Sequence, residues 1–399
     1  MSLRDDMLLD PGVTFLNNGS FGATPRPVFA EYQRWQLELE RQPVEFLGRR
    51  ADARMDAARQ PLARYLNADP DCLAYVPNAT HGVNVVARSM DLRPGDEILG
   101  TDLEYGACDR TWEHICERAG AVYRKQHIPL PATTPEAMAD AIWAGVTPRT
   151  RAVYLSHITS GTALTLPAGE ICRRARAAGI LSVIDGAHAP GQAPLDLEAI
   201  GADVYTGNLH KWLCAPKGCG FLHVRPEHHG WMEANIVSWG WFEGSASRRE
   251  GVSEFVNRTQ WQGTRDLAAY LAAPAGIAYQ EANDWDAVRA RCRQLALEAR
   301  REIVARWGEE PLSPEPAPAP GGYPWFLQMV TCPLPDVDGL ALKERMYDEF
   351  RVEAPITWWN GRTFIRLSFQ GFNDRGDLDR ALAALDALVP RLRAQAASR

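Results

Sequence analysis

The chain has 399 residues, 46% hydrophobic and 23% charged, enough for a full enzyme core built as one large or two ordinary domains. A net charge of −7 leaves no basic surplus to neutralise phosphates, which argues against a nucleic-acid partner, and no apolar run reaches the roughly 18–20 residues that a membrane span needs. The opening MSLRDDMLLDPG is acidic early and lacks an apolar stretch, so no signal peptide is expected. Eight cysteines are present with no C-x-x-C pair and no zinc-site spacing, so the expectation is reduced thiols in a cytoplasmic protein and no metal.

In chain order, the short apolar runs at 73–76, 152–156, 181–184, 203–206 and 219–224 are rich in Val, Tyr, Ile and Leu and predict buried strands. Between them, THGVNVVARSM (80–90) carries Val83, Val86 and Met90 at helical spacing, and PAGEICRRARAAG (167–179) begins with Pro and ends at Gly179, as a helix does. Alternation of strand and helix over 70–225 predicts an α/β domain with a largely parallel sheet. The loop VSWGWFEG (237–244) holds Trp239, Trp241 and Phe242, read as packing residues or an entrance or dimer contact. From about 265 the texture turns helical, then PLSPEPAPAPGG (311–322) reads as an exposed connector. YPWFLQMVTCPL and RTFIRLSFQ read as strands of a smaller α+β unit, closed by the amphipathic helix DLDRALAALDALVPRLRAQAA. The expected division is an N-terminal arm over 1–14, a large domain over 15–265 and a small domain over 266–399.

Three features of the central region carry chemistry. Only four of the 43 Lys and Arg residues are lysine, and one of them, Lys211, sits between His210 and Trp212 beside an apolar run. A lysine that forms a Schiff base must lose its proton, which desolvation or a neighbouring cation promotes; the plainer reading is a surface lysine in a loop. In SVIDGAHAPG (182–191), Asp185 ends an apolar strand, where ligands of open α/β sheets bind. An acid there can hold a proton on a heteroaromatic nitrogen, or it can simply cap the next helix. In VPNATHGVN (76–84) a strand runs into a helix opening that can seat a phosphate, or be capped by Asn78 or Thr80 alone. No G-x-G-x-x-G or P-loop motif is present. A phosphate seat, an acid for a ring nitrogen and an isolated lysine together suit one ligand, pyridoxal 5′-phosphate.

With these motifs go FLNNGSFGATPRPV, DLEYGA, LSHITS, QGTRD and FIRLSFQGFN. As an ordered set they resemble the class V aminotransferase family of pyridoxal-phosphate enzymes, fold type I, and within it the isopenicillin N epimerase-like group. The resemblance spans nearly the whole chain and implies a large, mainly parallel α/β/α domain with a smaller α+β C-terminal domain. It implies that Lys211 holds the cofactor as a Schiff base and shuttles protons, that Asp185 salt-bridges the ring nitrogen, and that His188 lies near the phenolic oxygen. Ala79 and Thr80 would bind the phosphate, with Asn208 and His210 on the phosphate side of Lys211. Tyr105 would stack on the ring. Thr264 would reach the phosphate of the other subunit of a homodimer. Arg366 would grip the substrate carboxylate, since a guanidinium fork matches that planar anion, and Asn17 and Asn18 would face the substrate. Lys217, in APKGCG, reads as a turn residue.

The outcome after the Cα proton is lost decides the reaction. Reprotonation on the opposite face gives epimerisation, reprotonation at the cofactor gives transamination, and loss of a β-substituent gives a lyase. A desulfurase needs a nucleophilic Cys just before the carboxylate-binding Arg, and EAPITWWNGRTFIRLS (353–368) has none; Cys332 reads as a strand residue. The expectation is an epimerase-like enzyme acting on an amino acid or peptide-like amine, with a C–S lyase or aminotransferase as the alternative, and a non-catalytic cofactor-binding relative as the alternative of another class.

Overall fold

The computed structural model describes residues 3–241, 252–315 and 323–397. Its strands are β1 (Thr14–Phe15), β2 (Leu73–Val76), β3 (Glu97–Thr101), β4 (Val122–Gln126), β5 (Thr150–Ser156), β6 (Leu181–Asp185), β7 (Val204–Asn208) and β8 (Gly220–Val224), then β9 (Met329–Pro333), β10 (Val352–Glu353), β11 (Ile356–Trp359) and β12 (Arg362–Ser368). Seven of them form one sheet in the order β2-β8-β7-β6-β5-β3-β4. All its pairings are parallel except the two made by β8, which runs against both β7 and β2. β2, β7 and β8 are buried along their whole length, as strands covered on both faces must be.

The helices between these strands pack on the sheet and bring their N-termini to its carboxyl edge. Asn78 caps helix Ala79–Ser89 by accepting from the His81 N–H at 2.9 Å, and αL glycines end helices Gly106–Ala119 and Ala168–Ala178. The second unit is an antiparallel sheet β11-β12-β9 flanked by helices Trp285–Trp307, Gly339–Phe350 and Arg375–Ala397. The arm joins this unit: β1 pairs in parallel with β10, and Asn17 bridges to Ser368 at the end of β12. Among the described residues no helix is long and apolar enough to cross a membrane.

Several expectations change in detail. β3 and β4 carry no clear apolar signal. EILGT is interrupted by Gly100, whose missing Cβ makes room for the Tyr123 hydroxyl, and VYRKQ is a polar, partly exposed edge strand. The helical region after 265 is three helices, Ala268–Leu271, Ala273–Ala282 with Pro274 in its first turn, and Trp285–Trp307. The connector does not begin as an exposed loop. Leu312 and Ser313 are buried, the Leu312 carbonyl accepts from the Ala132 N–H, and the Arg300 guanidinium donates to the carbonyls of Ser313 and Pro314. Residues 316–322 of that connector, and Phe242 with the rest of 242–251, lie outside the described residues.

Candidate active site

The carboxyl ends of β2, β3, β5, β6 and β7 converge on one cleft. Its walls include Asn78, Ala79 and Thr80 after β2, Tyr105 after β3, Ser156 at the end of β5, Asp185 at the end of β6, and Asn208, His210 and Lys211 at and beyond the end of β7. Ligands of open α/β sheets bind at this edge because helix N-termini and strand-end side chains meet there.

Asp185 is buried at 3% exposure. Its Oδ1 accepts from the Ala187 N–H at 2.9 Å, and its Oδ2 accepts from the Tyr154 hydroxyl at 3.1 Å and the Cys108 thiol at 3.5 Å. Burial raises its pKa above the usual carboxylate value against these donors and the nearby Lys211 charge. The Lys211 amine lies 3.2 Å from His188 Nε2, and desolvation followed by the Arg366 charge pushes its pKa down to about 7. His188, also buried, is held well below its ordinary value by burial and then by Lys211, Arg366 and His210.

The main chain at Lys211 is pinned from the arm. Asn18 donates to the Lys211 carbonyl at 3.3 Å and accepts from the Ala23 N–H at 3.1 Å. Gly22 passes so close that a Cβ would lie 1.9 Å from the His210 carbonyl oxygen, and its φ of +71° suits glycine. Asn18 is therefore a fully buried support behind Lys211, outside the cleft wall, and not the substrate-facing residue expected of it.

Arg366, on β12, is 4% exposed and meets no carboxylate among the described residues. It donates to the Ser160 carbonyl at 2.8 Å and hydroxyl at 3.1 Å, to Asn17 Oδ1 at 3.2 Å and to Ser20 Oγ at 2.9 Å, while its Nε is buried without a partner. Ser20 and Ser160 line the cleft, so the guanidinium stands directly behind the wall they form. A buried cation with no internal counter-charge and an orphaned N–H is chemistry suited to an anionic ligand.

The remaining expected residues divide. Asn208 and His210 line the cleft; Asn208 Oδ1 takes the Ala79 N–H at 2.9 Å, so that donor is already engaged, and His210 Nδ1 lies 3.1 Å from the Cys219 carbonyl. Tyr105 stands at the mouth, 47% exposed, beside Phe21 at 72%. Thr264 is exposed and not in the wall of its own chain's cleft. Lys217 sits in a turn, as read from the sequence. Cys332 is fully buried in β9 with its thiol pushed up to about 12 by burial, which makes it a poor nucleophile. Sequence reasoning missed Ser20, Ser160, Tyr154 and Cys108. Ser160 and Ser20 lie inside quoted motifs, but only their bonds to Arg366 reveal a task.

The residues present fit pyridoxal phosphate. A buried acid faces the cleft, an amine is desolvated to near-neutral pKa, and a helix N-terminus lies beside both.

Residues 16–322 match the family pattern "Aminotransferase class-V". The chain is 40% identical to isopenicillin N epimerase of Streptomyces clavuligerus, with 97% of each covered. It is 36% identical to that of Amycolatopsis lactamdurans, covering 96% of this chain and 97% of the relative. It is 28% identical to the probable chloroplastic L-cysteine desulfhydrase of Arabidopsis thaliana, covering 95% and 84%. Further relatives at 22–27% are named for L-cysteine desulfhydrase or hercynylcysteine sulfoxide lyase activity. An apo cysteine desulfurase from Thermococcus onnurineus NA1 shares the fold with a TM-score of 0.81, 18% identity and 98% coverage of each chain. The chain belongs to the class V aminotransferase family, the fold type I enzymes whose cofactor is pyridoxal 5′-phosphate.

Proposed function

We propose that the chain cleaves the Cα–H bond of an amino-acid substrate and then releases a sulfur substituent from Cβ, as a pyridoxal-phosphate C–S lyase. The cofactor, when bound, supplies an electron sink for the pair left at Cα. Lys211 would hold it through its amine and would be the base that takes the Cα proton. Asp185 keeps the ring nitrogen protonated. His188 faces the phenolic oxygen, and Thr80 with the N-terminus of helix Ala79–Ser89 holds the phosphate beside Asn208 and His210. Tyr105 covers the ring. Arg366, with Asn17, takes the substrate carboxylate. Thr264 reaches the phosphate of the neighbouring subunit, so the working unit is a homodimer.

The observation that carries the choice is the desolvated amine of Lys211, the one lysine among the described residues that line the cleft. β-Elimination needs one base, which takes the Cα proton and can return it to the departing thiolate. Lys211 fits that task. The relatives named for C–S cleavage support the same reading. Epimerisation, the outcome expected first from the sequence, ranks second because it needs a proton donor across the ring from Lys211. Its support is the 40% and 36% identity to isopenicillin N epimerases.

Incubation of the holoenzyme with L-cysteine, L-cystine and a panel of L- and D-amino acids in deuterated water separates the outcomes. Pyruvate, ammonia and a released thiol or persulfide are expected. Cα-deuterated substrate of inverted configuration, with no pyruvate from any sulfur substrate, would overturn the lyase reading in favour of the epimerase.

A further inference from the structure

Lys211 and Trp212 are adjacent in sequence, yet their side chains reach the same imidazole from two sides. The Trp212 indole Nε1 donates to His188 Nδ1 at 3.3 Å, and His188 Nε2 lies 3.2 Å from the Lys211 amine. Trp212 is fully buried and its carbonyl is held by the side chains of Gln280 at 2.8 Å and Gln370 at 3.3 Å, so the indole has a fixed position.

An indole N–H can only donate. His188 Nδ1 must therefore be an acceptor and carry no proton. A neutral imidazole then bears its proton on Nε2, which points at Lys211. A free amine can accept that proton donor; an ammonium group cannot, because two donors would face each other. We propose that Trp212 is a positioning residue: its indole N–H locks His188 in the Nε2–H tautomer, so that His188 donates to the Lys211 amine and never accepts from it.

The charged and titratable groups facing this pair agree with the arrangement. Arg366 on β12 disfavours charge on both Lys211 and His188, and His210 disfavours it on His188; Asp185 on β6 and Cys108 on helix Gly106–Ala119 act the other way on Lys211. The low basicity of Lys211 thus has a geometric contribution beside desolvation. A proton taken up by Lys211 also has no exit into the protein through His188, and must return to the substrate side. The inference rests on the reading of Lys211 as the cofactor-bearing base.

The test uses the full chain, with and without pyridoxal phosphate. Nitrogen NMR of ¹⁵N-histidine-labelled protein, with His188 assigned by His188→Gln, reads the tautomer directly in the unaltered sequence. The expected signature is a protonated Nε2 and a bare Nδ1. In Trp212→Phe, which removes the N–H and keeps an aromatic ring, His188 is free to take the other tautomer. The pH midpoint for Lys211 acylation, followed by peptide mass spectrometry, should then rise by about one unit, since one hydrogen bond changes sign. A proton on Nδ1 in the wild-type chain, or an unchanged Lys211 midpoint in a folded Trp212→Phe, overturns the proposal. If Trp212→Phe does not fold, the tautomer in the wild-type chain decides alone. Failure of Lys211 to take up the cofactor would instead sink the underlying reading, and leaves both measurements interpretable.

Discussion

Replacing Arg366 by Gln removes a buried cation and leaves a side chain that can still meet Ser160 or Ser20. The effect on folding and the effect on catalysis should part company. Burial lowers the Arg366 pKa from 12.5 to about 10, which corresponds to about 3 kcal/mol of unfavourable desolvation in the folded chain. Against this stand four hydrogen bonds, to the Ser160 carbonyl and hydroxyl, Asn17 and Ser20, each contributing about 1 kcal/mol. The two nearly cancel, so the free energy of unfolding of the cofactor-free protein should change by no more than about 1–2 kcal/mol. Loss of a buried guanidinium–carboxylate contact costs about 2–5 kcal/mol, or about 30-fold to several thousand-fold in kcat/KM. Arg366 is also the second cause of the depressed Lys211 pKa, so the Lys211 midpoint should rise in the variant. Urea unfolding of the cofactor-free chain, steady-state kinetics and an amine substrate lacking the carboxylate together make the assay. The reasoning fails if the variant loses more than about 3 kcal/mol of stability while kcat/KM for the amino acid holds, or if the carboxylate-free amine loses as much rate as the amino acid does.

The rate of pyridoxal-phosphate uptake by the cofactor-free chain should climb about tenfold per pH unit below 7 and level off above, because Lys211 becomes a free amine near pH 7; a climb continuing to pH 10 would show an ordinary lysine. The same group binds fewer protons folded than unfolded between about 7 and 10.5, so its contribution to stability rises with pH across that window and is least below it, which urea titrations at several pH values would resolve. Gly22→Ala should cost at least about 2 kcal/mol and lower cofactor occupancy, because its Cβ would drive into the His210 and Lys211 carbonyls at a positive φ; a variant that keeps both its melting temperature and its visible absorbance would refute the close approach.

The parts of the molecule legible in the sequence are those where an apolar run ends abruptly in a polar residue. β6 ends in Asp185 and β7 in Asn208, and burial forces such strand ends to the carboxyl edge of the sheet. β4 escaped because an edge strand with Arg124 and Lys125 on it need not be apolar, and β3, interior and fully buried, because its short run opens on the charged Glu97 and is broken by Gly100. Asn17 and Asn18 look alike in sequence. Only the fold separates them, turning one toward Arg366 and the other toward the Lys211 backbone. Trp212 was invisible for a plainer reason: a tryptophan in an apolar run reads as filling, and its single N–H shows its direction only in three dimensions.

The tethers on Arg366 have a consequence for what the chain can accept. The guanidinium is fixed to Ser160 of the large sheet's loops and to Asn17 and Ser20 of the N-terminal segment before any substrate arrives. On the proposed reading, the docking points for carboxylate and amine are then a rigid jig, with Lys211 clamped at the other end by Asn18 and Gly22. Such a jig gauges the span between the two functional groups of its substrate and passes α-amino acids, whereas a β-amino acid, one methylene longer between them, falls out of gauge whatever its side chain.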